Sequence, residues 1–276
     1  MKHIAKKRFG QNFLTNQSII ANLIEAINPA ENQTIVEIGP GLGALTKPLL
    51  RKITQLEVVE IDRDIVAWMQ AEYSKPAYAN NKLIIHNEDA LKFDFSSLGT
   101  HIRVTGNLPY NISTPILFHL LDNLPNIIDM HFMLQKEVVE RMVAQPSTPA
   151  YGRLSVMLQY HLDMQYLLTV PPEAFEPAPK VESAFVRCVP HTTLPFVARD
   201  TALFAQVVLA AFSQRRKTIR NTLKAYLSDD DYLKINTWSQ INTAAEIKIG
   251  SQLRAENLSV KDFVAISNYI SNQVSN

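Results

Sequence analysis

Between residues 34 and 189, short β-branched runs alternate with segments whose apolar residues recur at helical spacing. The strand-like runs are TIVEIG, LEVVEI, KLIIHN, HIRVTGN, MHFMLQ, LLTVPP and AFVRCVP. Stretches with helical periodicity, such as ALTKPLL, DIVAWMQAEY and TPILFHLLDN, stand between several of them. Because parallel neighbouring strands need a long crossover, usually a helix, this alternation predicts an α/β fold with a mainly parallel, doubly wound sheet.

The pattern changes near residue 190. After PHTTLPF the sequence contains no clear strand pattern, and TALFAQVVLAAFS begins a region of helical periodicity. We therefore predict two domains, residues 1–190 forming the α/β domain and residues 191–276 a small all-helical domain. The chain has 276 residues, 46% of them hydrophobic, which is enough for both cores.

The first predicted strand ends in a glycine-rich loop, EIGPGLGAL. Gly39, Gly41 and Ala44 fit the fingerprint of a dinucleotide-binding turn, although a simple Gly-Pro turn would also fit. Glu60 ends the next strand, at the spacing expected for an acid that binds ribose hydroxyls. The pattern predicts a site for an adenosine-containing cofactor.

Two residues near the loop distinguish between NAD and S-adenosylmethionine. Pro40 has no N–H, so one donor for a pyrophosphate is missing. An anionic Glu37 would suit a cationic sulfonium better than a polyphosphate. Asp89, with Ala90 beside it, follows the third strand and could accept a hydrogen bond from an adenine amine, or simply form a turn. The sequence therefore favours S-adenosylmethionine.

The fourth predicted strand ends in GNLPYN, residues 106–111. An adenine amine is a poor nucleophile because its lone pair is conjugated into the ring. The side-chain oxygen of Asn107 and the backbone carbonyl of Leu108 could accept hydrogen bonds from its two N–H groups. Pro109 would fix the bend, and the Tyr110 ring could stack on the base. Beside a glycine loop, this stretch predicts methyl transfer to adenine, the alternative being an ordinary Asn-Pro turn.

The formal net charge is only +1, but the cations are unevenly distributed. Residues 213–227 contain five cations and no acid, and on a helix Arg216, Arg220 and Lys224 would recur on one face. A second basic cluster lies near the N-terminus. We predict that these segments contact an RNA backbone, the alternative being a solvated face. The predicted RNA contacts are Arg153, Arg215, Arg216, Lys217, Arg220, Lys224, Lys6, Lys7 and Arg8.

Several longer stretches resemble the ribosomal RNA adenine N6,N6-dimethyltransferase family, and within it the bacterial small-subunit type whose loss gives kasugamycin resistance. They include KKRFGQNFL, VEIGPGLGALT, GNLPYNISTPILFHLL, HFMLQKEVVERMVA, YGRLSVMLQY, FEPAPKVESAFVR and SQRRKTIRNTLK, spread over nearly the whole chain. The resemblance implies a Rossmann-like class I methyltransferase sheet with a small helical domain. It also implies dimethylation of two adjacent adenosines in a hairpin loop near the 3′ end of 16S rRNA, in the small (30S) ribosomal subunit or its precursor.

The resemblance also assigns residues. It implies cofactor contacts at Asn12, Leu14, Gly39, Glu60, Asp89 and Asn107. It implies that Phe175 is a second aromatic residue that clamps the target adenine against Tyr110, although an apolar plug is the alternative.

Other functions stay open at this point. They are a large-subunit methylase of the macrolide-resistance type, a DNA adenine methylase, which the lack of a separate base-reading domain disfavours, and a non-catalytic ribosome-assembly factor. The single cysteine, Cys188, fits a reducing compartment, so we expect a cytoplasmic protein. We expect a monomer without a metal site or membrane segment, since no zinc-like histidine spacing or long apolar run is found.

Overall fold

The computed structural model describes residues 12–79, 81–243 and 247–274. These residues fall into two compact units. The first takes its residues from 1–139 and 164–190, and the second from 140–163 and 191–276. The chain therefore passes from the first unit to the second, back to the first, and again to the second.

The strands of the described residues have two to nine residues. Their bounds are β1 (Phe13–Leu14), β2 (Ile35–Ile38), β3 (Gln55–Val59), β4 (Lys82–His86), β5 (Ile102–Asn107), β6 (Ile127–Gln135), β7 (Leu162–Val170), β8 (Phe175–Glu176) and β9 (Ser183–Pro190). The β1 and β8 strands pair with each other as a separate antiparallel ribbon.

The other seven strands form one sheet in the order β4-β3-β2-β5-β6-β9-β7. Neighbours from β4 to β6 are parallel, and β9 runs antiparallel to β6. This confirms the predicted α/β fold with a mainly parallel sheet. From β2 the chain moves to β3 and β4 on one side and then crosses to β5 on the other. The loops after β2 and β5 therefore meet at a switch point, where ligands bind in such sheets.

The first five helices of the described residues lie between these strands, and two of them begin at polar caps. These five are α1 (Gln17–Ile27), α2 (Thr46–Leu50), α3 (Arg63–Tyr73), α4 (Ser113–Leu121) and α5 (Lys136–Val143). The Asp62 side chain accepts a hydrogen bond from the Asp64 N–H and caps α3, as its sequence position predicts. The Asn16 side chain does the same for α1, whose four buried apolar residues pack into the core.

The second unit contains α6 (Arg153–His161), α7 (Thr201–Ala211), α8 (Ile219–Thr222), α9 (Asp231–Thr243) and α10 (Val260–Val274). The predicted domains placed residues 140–163 with the sheet, whereas the structure groups them with these helices. The reason is aromatic packing. The Tyr160 ring on α6 lies 4.6 Å from the Phe204 ring on α7, and Tyr151 lies 6.4 Å from Phe212. None of the described helices is long and apolar enough to cross a membrane.

The basic segment of this unit is not the continuous helix that the sequence predicts. Arg216 and Lys224 lie in turns, and only the short α8 between them is helical. Thr218 forms an isolated antiparallel bridge with Arg254, and the Ile219 N–H donates to the Leu253 carbonyl at 2.8 Å. These bonds to a distant segment replace the helical ones, so the three cations do not share one helix face.

Candidate active site

A cleft of about 610 Å³ opens at the carboxyl ends of β2, β3, β4 and β5. Its walls come from the first unit alone. The segment 12–15, the glycine loop 37–45, the ends of β3 and β4 and the stretch 107–112 all line it. The structure thus brings together the glycine loop, Glu60, Asp89 and the NLPY stretch, which are far apart in the sequence.

The glycine loop turns sharply into α2. Gly39 and Gly41 have φ angles of 63° and 53°, in the region that L-residues other than glycine rarely adopt. The Gly39 N–H donates to the Val59 carbonyl at 3.0 Å, which holds the loop against β3. A Cβ at Gly41 would lie 3.1 Å from the Phe13 ring. The loop therefore needs glycine both for its dihedral angles and for the close approach of the N-terminal segment.

Glu60 is buried at the end of β3, on the wall of the cleft. Its carboxylate accepts a hydrogen bond from the Asp62 N–H at 2.8 Å and another from the Gly41 N–H. Burial raises the pKa of Glu60, and these backbone donors oppose that rise. The carboxylate is thus fixed between the glycine loop and the start of α3, where it can accept hydrogen bonds from ligand hydroxyls.

Glu37 lies at the bottom of the cleft and is only 2% exposed. The Thr46 hydroxyl donates to its carboxylate at 2.6 Å. Burial raises the pKa of Glu37 to about 8, and the nearby Glu60 adds to the rise. The sequence suggested an anion here, but at neutral pH the carboxyl is mostly protonated in this structure. A cationic ligand in the cleft would favour its ionised form.

Asp89 and the buried Ala90 line the cleft just after β4. One carboxylate oxygen of Asp89 accepts a hydrogen bond from the Leu91 N–H at 3.0 Å, which fixes the side chain. The side chain of Asn87 donates to the Glu60 carbonyl at 2.8 Å and links this loop to the neighbouring one. Asp89 is therefore held beside Glu60 along the same edge of the sheet.

Asn107 ends β5 and lies half-buried in the cleft wall. Its side-chain N–H donates to the backbone carbonyl of Asn12 at 3.0 Å. The Leu108 N–H continues the sheet by donating to the Met133 carbonyl at 3.1 Å, whereas no described residue donates to the Leu108 carbonyl. Pro109 follows at the bend. Both oxygens that the sequence assigns to the adenine amine, on Asn107 and Leu108, are thus left free to accept hydrogen bonds.

Two glycines that the sequence did not single out also shape the site. A Cβ on Gly106 would overlap the carbonyl oxygen of Ile38, the last residue of β2. Only glycine therefore allows β5 to approach β2 this closely. A Cβ on Gly43 would likewise overlap the hydroxyl of Tyr73 on α3. Two sequence signals could have identified these glycines: the GxGxG spacing for Gly43, and the position directly before NLPY for Gly106.

Tyr110 lines the cleft beside Pro109 and is half-buried. Its hydroxyl lies 2.7 Å from the hydroxyl of Ser183, the first residue of β9. Burial raises the pKa of Tyr110, so the phenol is neutral at physiological pH. An aromatic ring thus stands next to the two candidate acceptor oxygens.

The N-terminal segment closes one side of the cleft. Asn12 and Leu14, for which the family resemblance implies cofactor contacts, are both among its lining residues. The segment is held by the β1–β8 ribbon and by the Thr15 N–H, which donates to the Ala174 carbonyl at 2.8 Å.

Phe175 does not lie in the cleft in this structure. It is 4% exposed, pairs with Leu14 in the β1–β8 ribbon, and belongs to the main hydrophobic core. This buried position is the one expected of an apolar plug. The clamp on the target adenine stays a prediction. The pairing of two segments 161 residues apart buries the ring, which no local pattern reveals.

The predicted RNA contacts of the described residues lie in the second unit and are all exposed. Arg220 is not free, since its guanidinium pairs with Asp229, an acid just beyond the basic segment. Arg215 donates to the Pro149 carbonyl at 3.1 Å. Three other cations of the basic segment are exposed and have no such partner among the described residues: Arg216, Lys217 and Lys224. Lys6, Lys7 and Arg8 lie outside the described residues.

Known proteins match this chain over nearly its whole length. A family model of ribosomal RNA adenine dimethylases matches residues 2–272. The ribosomal RNA small subunit methyltransferase A of Methylobacillus flagellatus is 63% identical over 270 residues, covering 98% of this chain and 99% of that protein. The protein of the same name from Nitrosospira multiformis is 54% identical over 269 residues, covering 98% and 97%.

Two solved structures share the fold. A dimethyladenosine transferase from Plasmodium falciparum has a TM-score of 0.76 at 23% identity, covering 95% of this chain and 98% of that one. The 23S rRNA methyltransferase ErmE has a TM-score of 0.71 at 20% identity, covering 94% and 100%. Both likenesses lie below 25% identity and therefore show the fold alone. The match over nearly the full length, together with the cleft described above, shows that the chain belongs to the ribosomal RNA adenine dimethylase family.

Proposed function

We propose that this protein transfers methyl groups from S-adenosylmethionine to N6 of two adjacent adenosines near the 3′ end of 16S rRNA, in the small ribosomal subunit or its precursor. The observation that carries this proposal is the pair of free acceptor oxygens on Asn107 and Leu108, placed beside a ring and an adenosine-type cleft. The names of its relatives, at 63% and 54% identity, support the small-subunit target over the large one.

The cleft residues fit S-adenosylmethionine. The Glu60 carboxylate is positioned by two backbone N–H groups and suits the ribose hydroxyls. Asp89 has a carboxylate oxygen beyond the one that the Leu91 N–H holds, and it suits the adenine amine. Glu37 at the bottom of the cleft suits a cation. When bound, S-adenosylmethionine supplies an electrophilic methyl group on a positively charged sulfur.

The protein acts on the adenine amine by binding both of its N–H groups. Acceptors on Asn107 and Leu108 favour a pyramidal nitrogen, whose lone pair is then free to attack. This interaction is strongest in the transition state and so accelerates the reaction. The neutral amide of Asn107 adds no further negative charge to a cleft that already contains Glu60 and Asp89, and the released proton passes to solvent. The Tyr110 ring stacks on the base.

The RNA is bound mainly by surfaces outside the cleft. One adenine is a small target, and folded RNA is recognised mainly by shape and backbone. The exposed cations Arg216, Lys217 and Lys224, with Arg153 and the N-terminal cluster, supply candidate phosphate contacts. Since ribosomal subunits are assembled in the bacterial cytoplasm, we place the enzyme there.

The test offers labelled S-adenosylmethionine to unmethylated small and large subunits separately, and then maps the modified bases. We expect label on N6 of two adjacent adenosines near the 3′ end of 16S rRNA. Label on 23S rRNA would instead identify a large-subunit enzyme. Binding to small subunits without any label would identify a non-catalytic assembly factor.

A further inference from the structure

A single hydroxyl contact holds the tip of the cleft tyrosine. The Tyr110 and Ser183 hydroxyls lie 2.7 Å apart, and either can be the donor. The Ser183 residue is fully buried, at 0% exposure. A buried hydroxyl needs a hydrogen-bond partner, because leaving it unpaired costs free energy. Tyr110 is the partner that the structure provides.

The backbone around Tyr110 is fixed by other bonds. The Ser113 hydroxyl donates to the Tyr110 carbonyl at 3.1 Å, and the Ile112 N–H donates to the Pro109 carbonyl at 3.1 Å. These contacts set the backbone of the loop and do not involve the phenol. The bond to Ser183 is the hydrogen bond that anchors the tip of the ring.

Ser183 is itself held rigidly. It stands opposite Gln135 in the β6–β9 pairing, at the cleft end of the sheet. The adjacent residues add two links, since the Lys136 N–H donates to the Glu182 carbonyl at 3.0 Å and their side chains form an ion pair at 2.7 Å. Because Ser183 is held in the sheet, its hydrogen bond also fixes the position of the Tyr110 ring relative to the sheet.

We propose that Ser183 is a positioning residue, which fixes the Tyr110 ring in the orientation that receives the target adenine. This proposal rests on the proposed function, in which Tyr110 stacks on the base. A ring already held in place loses less freedom when the base arrives, so the reacting amine is aligned at lower cost. Ser183 acts through Tyr110 and need not touch the substrate.

The experiment is a double-mutant cycle of Ser183→Ala, Tyr110→Phe and the double variant, with kcat measured on small subunits. We expect each single change to lower kcat about 3- to 10-fold, the range for one hydrogen bond. The double variant should be no slower than the slower single variant. The affinity for S-adenosylmethionine should stay unchanged, which also shows that each variant is folded.

A matched control comes from the same sheet. The Tyr166 hydroxyl lies 2.7 Å from the Thr169 hydroxyl on β7, and neither residue lines the cleft. Thr169→Ala removes a hydroxyl–hydroxyl contact of the same length, although an exposed and local one, and should leave kcat unchanged.

A second readout follows the base directly. We would place 2-aminopurine at the target position of the RNA and measure how far stacking quenches its fluorescence on binding. Quenching should weaken in Ser183→Ala and in Tyr110→Phe to the same extent. A merely structural serine would lower stability without changing the quenching.

The outcomes separate the two proposals. Multiplicative effects in the cycle, or a Tyr110→Phe variant with wild-type kcat and quenching, would overturn the positioning role while methyl transfer stands. Wild-type protein that does not methylate small subunits would overturn the proposed function itself.

Discussion

The side-chain amide of Asn107 donates a 3.0 Å hydrogen bond to the backbone carbonyl of Asn12, 95 residues earlier in the chain. The bond fixes the orientation of the amide, because its nitrogen must face the carbonyl. The side-chain oxygen is then left for a ligand. The same bond ties the N-terminal segment to the end of β5, so both walls of the cleft depend on it.

Asn107→Ala should leave a folded protein that binds RNA but transfers methyl groups slowly. Loss of one well-placed transition-state hydrogen bond typically costs about 10²- to 10³-fold in kcat. Single-turnover rates at saturating S-adenosylmethionine would measure it. Asn123→Ala is a matched control, because the Asn123 side chain donates to the His119 carbonyl at 3.2 Å outside the cleft. A near wild-type rate in Asn107→Ala would exclude the catalytic role of the amide.

Glu60→Ala should weaken S-adenosylmethionine binding by about 1.5–3 kcal/mol, the range for hydrogen bonds to a charged group. Glu60→Gln should lose less, because its amide oxygen can still accept from the Asp62 and Gly41 N–H groups. Isothermal calorimetry would give the affinities, and thermal unfolding would show whether each variant is folded. Unchanged affinity in a folded Glu60→Ala protein would contradict the ribose assignment.

The cofactor-free protein should lose stability as the pH rises toward 8, because Glu37 must ionise in a buried site. Its pKa is raised from 4.5 to about 8, so the native state binds more protons than the unfolded state between these values. The free energy of unfolding then falls with pH, with a limiting slope of about 1.4 kcal/mol per pH unit for one proton. Glu60, whose pKa is also raised, contributes in the same direction.

His131 has the opposite effect at lower pH. Burial lowers its pKa from 6.5 to about 4, so its contribution to stability rises between these values. The Glu37 effect is therefore best measured between pH 6.5 and 8, by urea unfolding. Glu37→Gln should flatten the dependence in that window. An equally steep fall in the variant would show that another group is responsible.

Phe175→Ala should destabilise the protein by about 3–5 kcal/mol, the usual cost of removing a buried phenylalanine side chain. The reason is its place in the core, where it pairs with Leu14. Phe196→Ala is the control, since Phe196 is 37% exposed and should change little. Urea unfolding would compare them. A stable Phe175→Ala protein that has lost only methyl transfer would place the ring at the target base instead.

The triple change of Arg216, Lys217 and Lys224 to alanine should weaken small-subunit binding and leave S-adenosylmethionine affinity intact. Each lost phosphate contact should lower the slope of log affinity against log salt by about 0.7–0.9. Arg220→Ala should have a smaller effect, because Asp229 already pairs with its guanidinium. A charge-matched triple change of Lys52, Lys75 and Lys82 controls for net charge. If the slope did not change, these cations would face solvent without contacting the RNA backbone.

The sequence by itself determined the sheet and much of the cleft. Alternating periodicities predicted the parallel strands, and the carboxyl ends of parallel strands lie along one edge. Residues that follow strand ends, such as Glu60, Asp89 and Asn107, were therefore predicted to converge, and they do. The family could also be identified from motifs spread along the chain.

Tertiary structure decided the features that depend on contacts between distant segments. Phe175 is buried because β8 pairs with β1, and the basic helix is broken because Thr218 bonds to Arg254. Ser183 reaches Tyr110 only through the register of β9 on β6. Local periodicity carries no information about such pairings, since they depend on which backbone groups and side chains meet once the core has formed.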